Sequence, residues 1–122
     1  MSKTIIVASI GRCVGSEPMS PADWCAFKTQ LFYTVDGLAE TVLQRPLLVP
    51  SEPHEDTQVG VWANVACESA ATVMAVIDRD NLPRLRTLLS ALAALYRQDA
   101  IGLIVSETGT DTLVTADQQP DV

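Results

Sequence analysis

The chain has 122 residues, of which 48% are hydrophobic, 5% aromatic and 19% charged, and its net charge is −7. That length holds one domain with a core drawn mainly from Val, Ile, Leu and Ala, and a field of that sign repels a phosphate backbone, which argues against nucleic-acid binding. No run of about 18 apolar residues occurs, so no membrane span is expected, and the short apolar run at the N-terminus does not make a secretory leader.

Thr4 to Ile10 reads as a strand, β-branched and uncharged, punctuated by Gly11. Residues 11–19 form a loop with Gly15 and Pro18. Ser20-Pro21-Ala22-Asp23 predicts a helix start: Ser20 can accept from a first-turn amide, Pro21 suits the first position and Asp23 suits the N-terminal dipole. Trp24, Phe27, Leu31 and Val35 follow at helical spacing. Beyond Leu31 two readings compete. Phe32-Tyr33-Thr34-Val35 has strand propensity and Asp36-Gly37 suits a hairpin turn. An apolar stripe through Leu31, Val35, Leu38 and Val42 instead favours a helix that is interrupted or ends near Gly37.

Pro46-Leu47-Leu48-Val49-Pro50 is a short extended segment whose prolines would suit a sheet edge. Residues 51–57 are polar and loop-like. Gln58 to Ala66 and Ala71 to Ile77 read as two strands joined through Cys67-Glu68-Ser69. Asp78 to Asn81 supplies caps for a second helix with Pro83 in its first turn. Leu82, Leu85, Leu88, Leu89, Leu92, Leu95 and Tyr96 give that helix a wide apolar face. Ile101 to Val105 is a buried type of strand, and Leu113-Val114-Thr115 can pair back on it across a turn. Residues 1–116 form a single α+β domain and 117–122 a frayed tail.

The order β-α-β-β-α-β, with an added C-terminal strand, predicts a ferredoxin-like α+β sandwich: an antiparallel sheet under two helices on one side. The residues Thr4–Gly11, Ser20 with Trp24 and Phe27, Gly60-Val61-Trp62, Glu68 and Tyr96-Arg97-Gln98-Asp99-Ala100-Ile101 resemble a family of small bacterial ferredoxin-like proteins, a domain of unknown function. The resemblance implies the architecture and no activity.

No GxSxG, P-loop, HExxH, GxGxxG or zinc spacing is present, so no catalytic residue, metal site or cofactor is assigned. The single histidine, His54, excludes a multi-His metal site and sits in the polar loop, where a solvated imidazole is expected. Cys13, Cys25 and Cys67 have no CxxC spacing, and their odd count argues against a complete disulfide framework. All three thiols are therefore read as free, in a reducing cytoplasm. Glu68 stands in a nearly uncharged stretch between two strands, where burial would raise its pKa and make it a base or a polar anchor. Trp62, Trp24, Tyr33 and Tyr96 can line an apolar pocket beside it, although aromatics at such positions more often build core. Arg79, Arg84 and Arg86 near the second helix are read as surface pairs for Asp78 and Asp80.

The strands do not alternate. Ile5, Ile6, Val7, Ala8 and Ile10, then Val73 to Ile77, then Ile101, Leu103, Ile104 and Val105 are apolar on both faces, whereas a sheet covered on one side should place polar residues on the other. A homodimer closing sheet on sheet is expected, with Ser90, Ala91 and Ala94 of the second helix as a secondary contact. Two functions follow: binding of a small organic ligand near Trp62 and Glu68, or docking of a different protein on the apolar face.

Overall fold

β1 (Lys3–Gly11) forms where the sequence reading places it, at the centre of the sheet. The computed structural model describes residues 2–15, 17–50 and 70–106, and the backbone of 110–115. The expected strand at Gln58–Ala66, the residues Trp62, Glu68, His54 and Cys67, and the tail 117–122 lie outside the described residues. Within the loop that follows β1, β2 (Cys13–Val14) and β3 (Glu17–Pro18) make a two-residue ribbon. It turns at Gly15, whose φ of +64° is cheap only without a Cβ.

α1 (Pro21–Asp36) starts as its sequence dictates, with the Ser20 hydroxyl accepting from the Asp23 amide at 3.2 Å. It runs unbroken through Phe32–Val35 and stops at Gly37, whose amide donates to the Tyr33 carbonyl at 3.0 Å. Trp24, Phe27, Leu31, Phe32 and Val35 are buried on its inner side. The spacing of these residues prevails over the strand propensity of the Phe32–Val35 segment, because each full burial contributes roughly 1.5–3 kcal/mol while propensity contributes tenths. The stripe does not continue as helix. Residues 39–44 form β4 (Ala39–Gln44), an edge strand whose pairing with β5 carries two register irregularities. Pro46–Pro50, expected to be extended, has no regular structure.

β5 (Ala70–Asp78) leads through a 3-10 turn at Arg79–Asn81 into α2 (Leu82–Leu95). Asp78 caps that turn, accepting from the Asp80 amide at 3.0 Å, and also meets Lys3 at 4.0 Å. β6 (Ala100–Val105) and β7 (Thr110–Thr115) complete the chain as the predicted hairpin. The five strands lie in the order β4-β5-β1-β6-β7, every neighbour antiparallel. Among the described residues two strands, β4 and β5, stand between the helices; the second was expected at Ala71–Ile77, whereas β4 forms from residues 39–44, where the apolar stripe favoured helix.

One sheet face carries Ile6, Ala8 and Ile10 of β1, Val73, Ala75 and Ile77 of β5, and Ile101, Leu103 and Val105 of β6. These join Trp24, Phe27, Leu31 and Val35 of α1 and Leu85, Leu89 and Leu92 of α2 in one buried cluster. Both helices therefore cover the same face. Leu88 and Leu95, expected inside, are exposed on the outer side of α2 together with Ala91 and Ala94, and Ser90 is buried instead. A fourteen-residue helix has about four turns, and only the stripe Leu85–Leu89–Leu92 can face the sheet.

Cys25 carries a free thiol, whereas Cys13 is disulfide-bonded. This corrects the expectation of three free thiols. An odd count excludes a framework that uses every cysteine but not a single bond, and the bond at Cys13 removes the thiol argument for a reducing compartment. Denatured, unreduced protein is expected to release one thiol per chain in a colorimetric titration. A value of three would show that the bond does not form. No helix among the described residues is long and apolar enough to cross a membrane.

Candidate functional site

Where the start of α1 meets the end of α2, a cavity of about 420 Å³ opens, lined by Val14, Met19, Asp23, Leu95, Tyr96 and Arg97. Three pieces of chain make it: the β2–β3 ribbon and the first turn of α1, which are close in sequence, and the C-terminus of α2, which is remote from both. Polar contacts tie these walls together. The Arg12 guanidinium donates through Nε to the Met19 carbonyl at 2.9 Å, and the Met19 amide donates to the Arg12 carbonyl at 3.1 Å. The Gln98 side chain donates through Nε2 to the Cys13 carbonyl at 3.1 Å. It thereby anchors the ribbon to the end of α2.

The end of α2 is a Schellman turn. The Gln98 amide reaches back to the Ala93 carbonyl at 2.8 Å and the Arg97 amide to the Ala94 carbonyl at 3.2 Å. The residue between helix and strand in such a turn takes left-handed backbone, and glycine is its usual occupant. Here it is Arg97, with φ of +56°, the sole non-glycine positive φ among the described residues. A β-carbon in that region costs roughly 1–2 kcal/mol. Arg97→Gly is therefore expected to raise folding stability by about 1 kcal/mol in urea denaturation, less the entropy that glycine gives the unfolded chain. A fall in stability would mean that the Arg97 side chain makes a contact worth more than the backbone strain.

Tyr96 is fixed from beneath. Its ring stacks on Phe27 with centroids 4.5 Å apart and planes 17° from parallel. Phe27 in turn meets Trp24 edge-on at 6.1 Å. Burial pushes the Tyr96 hydroxyl above its ordinary pKa of 10.0, and the negative charge of Asp23 adds to the shift. Unfolding restores the ordinary value, so the stability linked to Tyr96 is whole below about pH 10 and is lost as pH rises through the folded value. Asp23→Asn is expected to bring the Tyr96 titration down, followed by phenolate absorbance. An unchanged titration would place the carboxylate too far away to act.

Of the described residues expected to line a pocket, Trp24 and Tyr96 come together through Phe27, and of these Tyr96 reaches the cavity. Trp24 is completely buried in the core. Two buried cations lie near its ring, Lys28 Nζ at 5.4 Å and Arg12 Cζ at 5.9 Å, so it serves as a platform for them. Tyr33 is 60% exposed on α1 and touches Phe32, away from the cavity. Trp62 and Glu68 lie outside the described residues. Arg97 was legible in the sequence only as part of Tyr96–Ile101, since arginine does not announce a positive φ. Asp23 was legible as a helix-start residue.

No family model matches the chain, and no curated protein matches it. Among solved structures, the chain is similar to a phage SAM lyase in complex with S-methyl-5'-thioadenosine, with a TM-score of 0.55 over 94% of this chain and 91% of that one. The two share a fold. At 13% identity the likeness supports the α+β architecture, an antiparallel sheet with two helices, and carries no residue across.

Proposed function

We propose that this chain binds a small organic molecule of the adenosyl thioether class in the cavity between α1 and α2. The observation that carries the reading is the cavity itself. It has a stacked, pre-positioned aromatic wall at Tyr96, apolar sides from Val14, Met19 and Leu95, and two charged groups, Asp23 and Arg97, on its lining. Ligand sites are commonly concavities that combine apolar walls with a few placed polar groups. The shared fold with a lyase that holds a methylthioadenosine supports the ligand class by analogy. Isothermal titration with methylthioadenosine, together with backbone amide shifts, tests it. Saturable shifts centred on Val14, Met19, Asp23 and Leu95–Arg97 are expected; shifts elsewhere or none would reject the cavity.

A second observation supports association. The sheet face turned away from both helices carries Ile5, Val7, Met74, Val76 and Ile104, which neighbour one another across three strands. Ile5 is 40% exposed. We propose that two copies of the chain meet on this face, and that a monomer which captures a different protein there is the competing outcome. The same reading takes the order β4-β5-β1-β6, with a helix after β1 and another after β5, as a ferredoxin-like path to which β7 is added at the edge.

A further inference from the structure

Resting on the cavity reading above, we infer that the cavity recognises the α-amino-acid end of its ligand, with Arg97 taking the carboxylate and Asp23 the ammonium. The lining carries one acidic and one basic side chain, so its own charge sums to zero. A ligand carrying one charge satisfies one of these side chains and leaves the other unmatched, whereas a zwitterion with both signs a few bonds apart is matched at both ends. Asp23 and Arg97 do not meet each other. Neither side chain forms an ion pair or a hydrogen bond among the described residues, although both line one cavity. Two opposite charges that face a common space without closing it leave a gap, and a dipolar group can bridge it.

The backbone points the same way. Arg97 holds a position where glycine would be cheaper, and the left-handed turn sets the origin of its side chain at the mouth of the cavity. Its planar guanidinium can grip a carboxylate with two parallel N–H donors, which lysine cannot do. Asp23 is held in the first turn of α1 by the Ser20 cap. Its carboxylate is near enough to the Tyr96 hydroxyl to disfavour the phenolate, so the tyrosine stays a neutral donor beside it. The apolar residues Val14, Met19 and Leu95 then face the carbon chain that leads away from the amino acid.

The test compares two adenosyl thioethers that differ at this end alone. S-adenosylhomocysteine carries the amino acid, whereas methylthioadenosine has a methyl group in its place, and neither bears a sulfonium charge. Titrations use the full chain, its Arg97→Gly variant and its Asp23→Asn variant, each first shown to be folded by circular dichroism. S-adenosylhomocysteine is expected to bind the unmodified chain at least tenfold more tightly than methylthioadenosine. Either variant should remove most of that difference, costing S-adenosylhomocysteine about tenfold more than it costs methylthioadenosine, the loss expected of a charge-assisted contact. Arg97→Gly relieves backbone strain, so lost binding in a more stable protein cannot be put down to unfolding. Equal affinity of the two ligands, or equal losses for both in the variants, overturns the zwitterion and leaves the cavity reading standing. If neither ligand binds, both readings fall. Free L-methionine shows whether the amino acid suffices: binding that is abolished by both variants supports the same contact without the adenosine.

Discussion

Phe27→Ala is expected to lower folding stability by about 3–5 kcal/mol, the range for truncating a large buried aromatic. The residue is completely buried, and it is the contact through which α1 holds the end of α2. Its ring supports Tyr96 on one side and meets Trp24 on the other, so truncation opens a void flanked by two aromatic rings. Neither neighbour can collapse freely into that space. Trp24 lies against the buried Arg12 and Lys28, and Tyr96 is part of the Schellman turn. Phe27→Leu keeps most of the volume and should cost less than half as much. Urea denaturation gives both values, and the midpoint is to be compared at constant m. The same substitution should release the Tyr96 ring, so any cavity ligand should bind more weakly in the fraction that remains folded. A cost below about 1 kcal/mol would mean that the two helices are joined by something other than this stack.

Much of the architecture could be read from the sequence because several local signals agreed. Ser20, Pro21 and Asp23 mark one helix start, and α1 begins at Pro21. Asp78 with Pro83 marks the other, and α2 begins at Leu82. The hairpin of β6 and β7 was expected from Ile101–Val105 and Leu113–Thr115. Residues 32–44 were ambiguous for a physical reason. Phe32–Val35 carries β-branched and aromatic residues inside a helix. β4, in turn, buries none of its residues: Ala39 and Val42 are half-buried three positions apart, and the register shifts against β5 erase the alternation that would mark a strand.

The candidate site was legible only in part. Tyr96 stood out as an aromatic at the end of an apolar helix, but the cavity depends on three segments meeting in space, which no local pattern encodes. Nothing in the run Leu95-Tyr96-Arg97-Gln98 signals that the arginine adopts left-handed backbone. Glycine there would have marked the turn; arginine conceals it. The expectation that Leu88 and Leu95 belong to the core failed because a leucine count cannot tell a wide apolar face from a narrow one with exposed neighbours. Leu95, 69% exposed and lining the cavity, is the leucine whose misplacement matters most to the proposed site.

If two copies meet on the sheet face as proposed, Val76→Glu is expected to separate them into monomers or to precipitate the protein. The alternation along β5 places Val73, Ala75 and Ile77 in the core, while Met74 and Val76 face the other way, half-buried by their neighbours alone. Val76 pairs with Ile5, and Met74 with Val7, which pairs in turn with Ile104 on the far side of β1. The apolar patch therefore spans three strands at the middle of the sheet, bounded along β1 and β5 by the Ser9–Thr72 pair at one end and the Lys3–Asp78 pair at the other. Each of these side chains, if covered, contributes roughly 1.5–3 kcal/mol, and soluble monomers seldom leave such a patch open. In a two-fold interface every substitution appears twice. A glutamate at position 76 would bury one carboxylate from each copy among apolar side chains, so affinity should fall at least a hundredfold. Ala91→Glu, on the outer side of α2, should weaken association far less, because it lies outside the sheet face. Light scattering coupled to size exclusion gives the mass of each form at micromolar concentration. A well-behaved monomer of the unmodified chain would reject self-association and turn attention to a different protein as the occupant of this face.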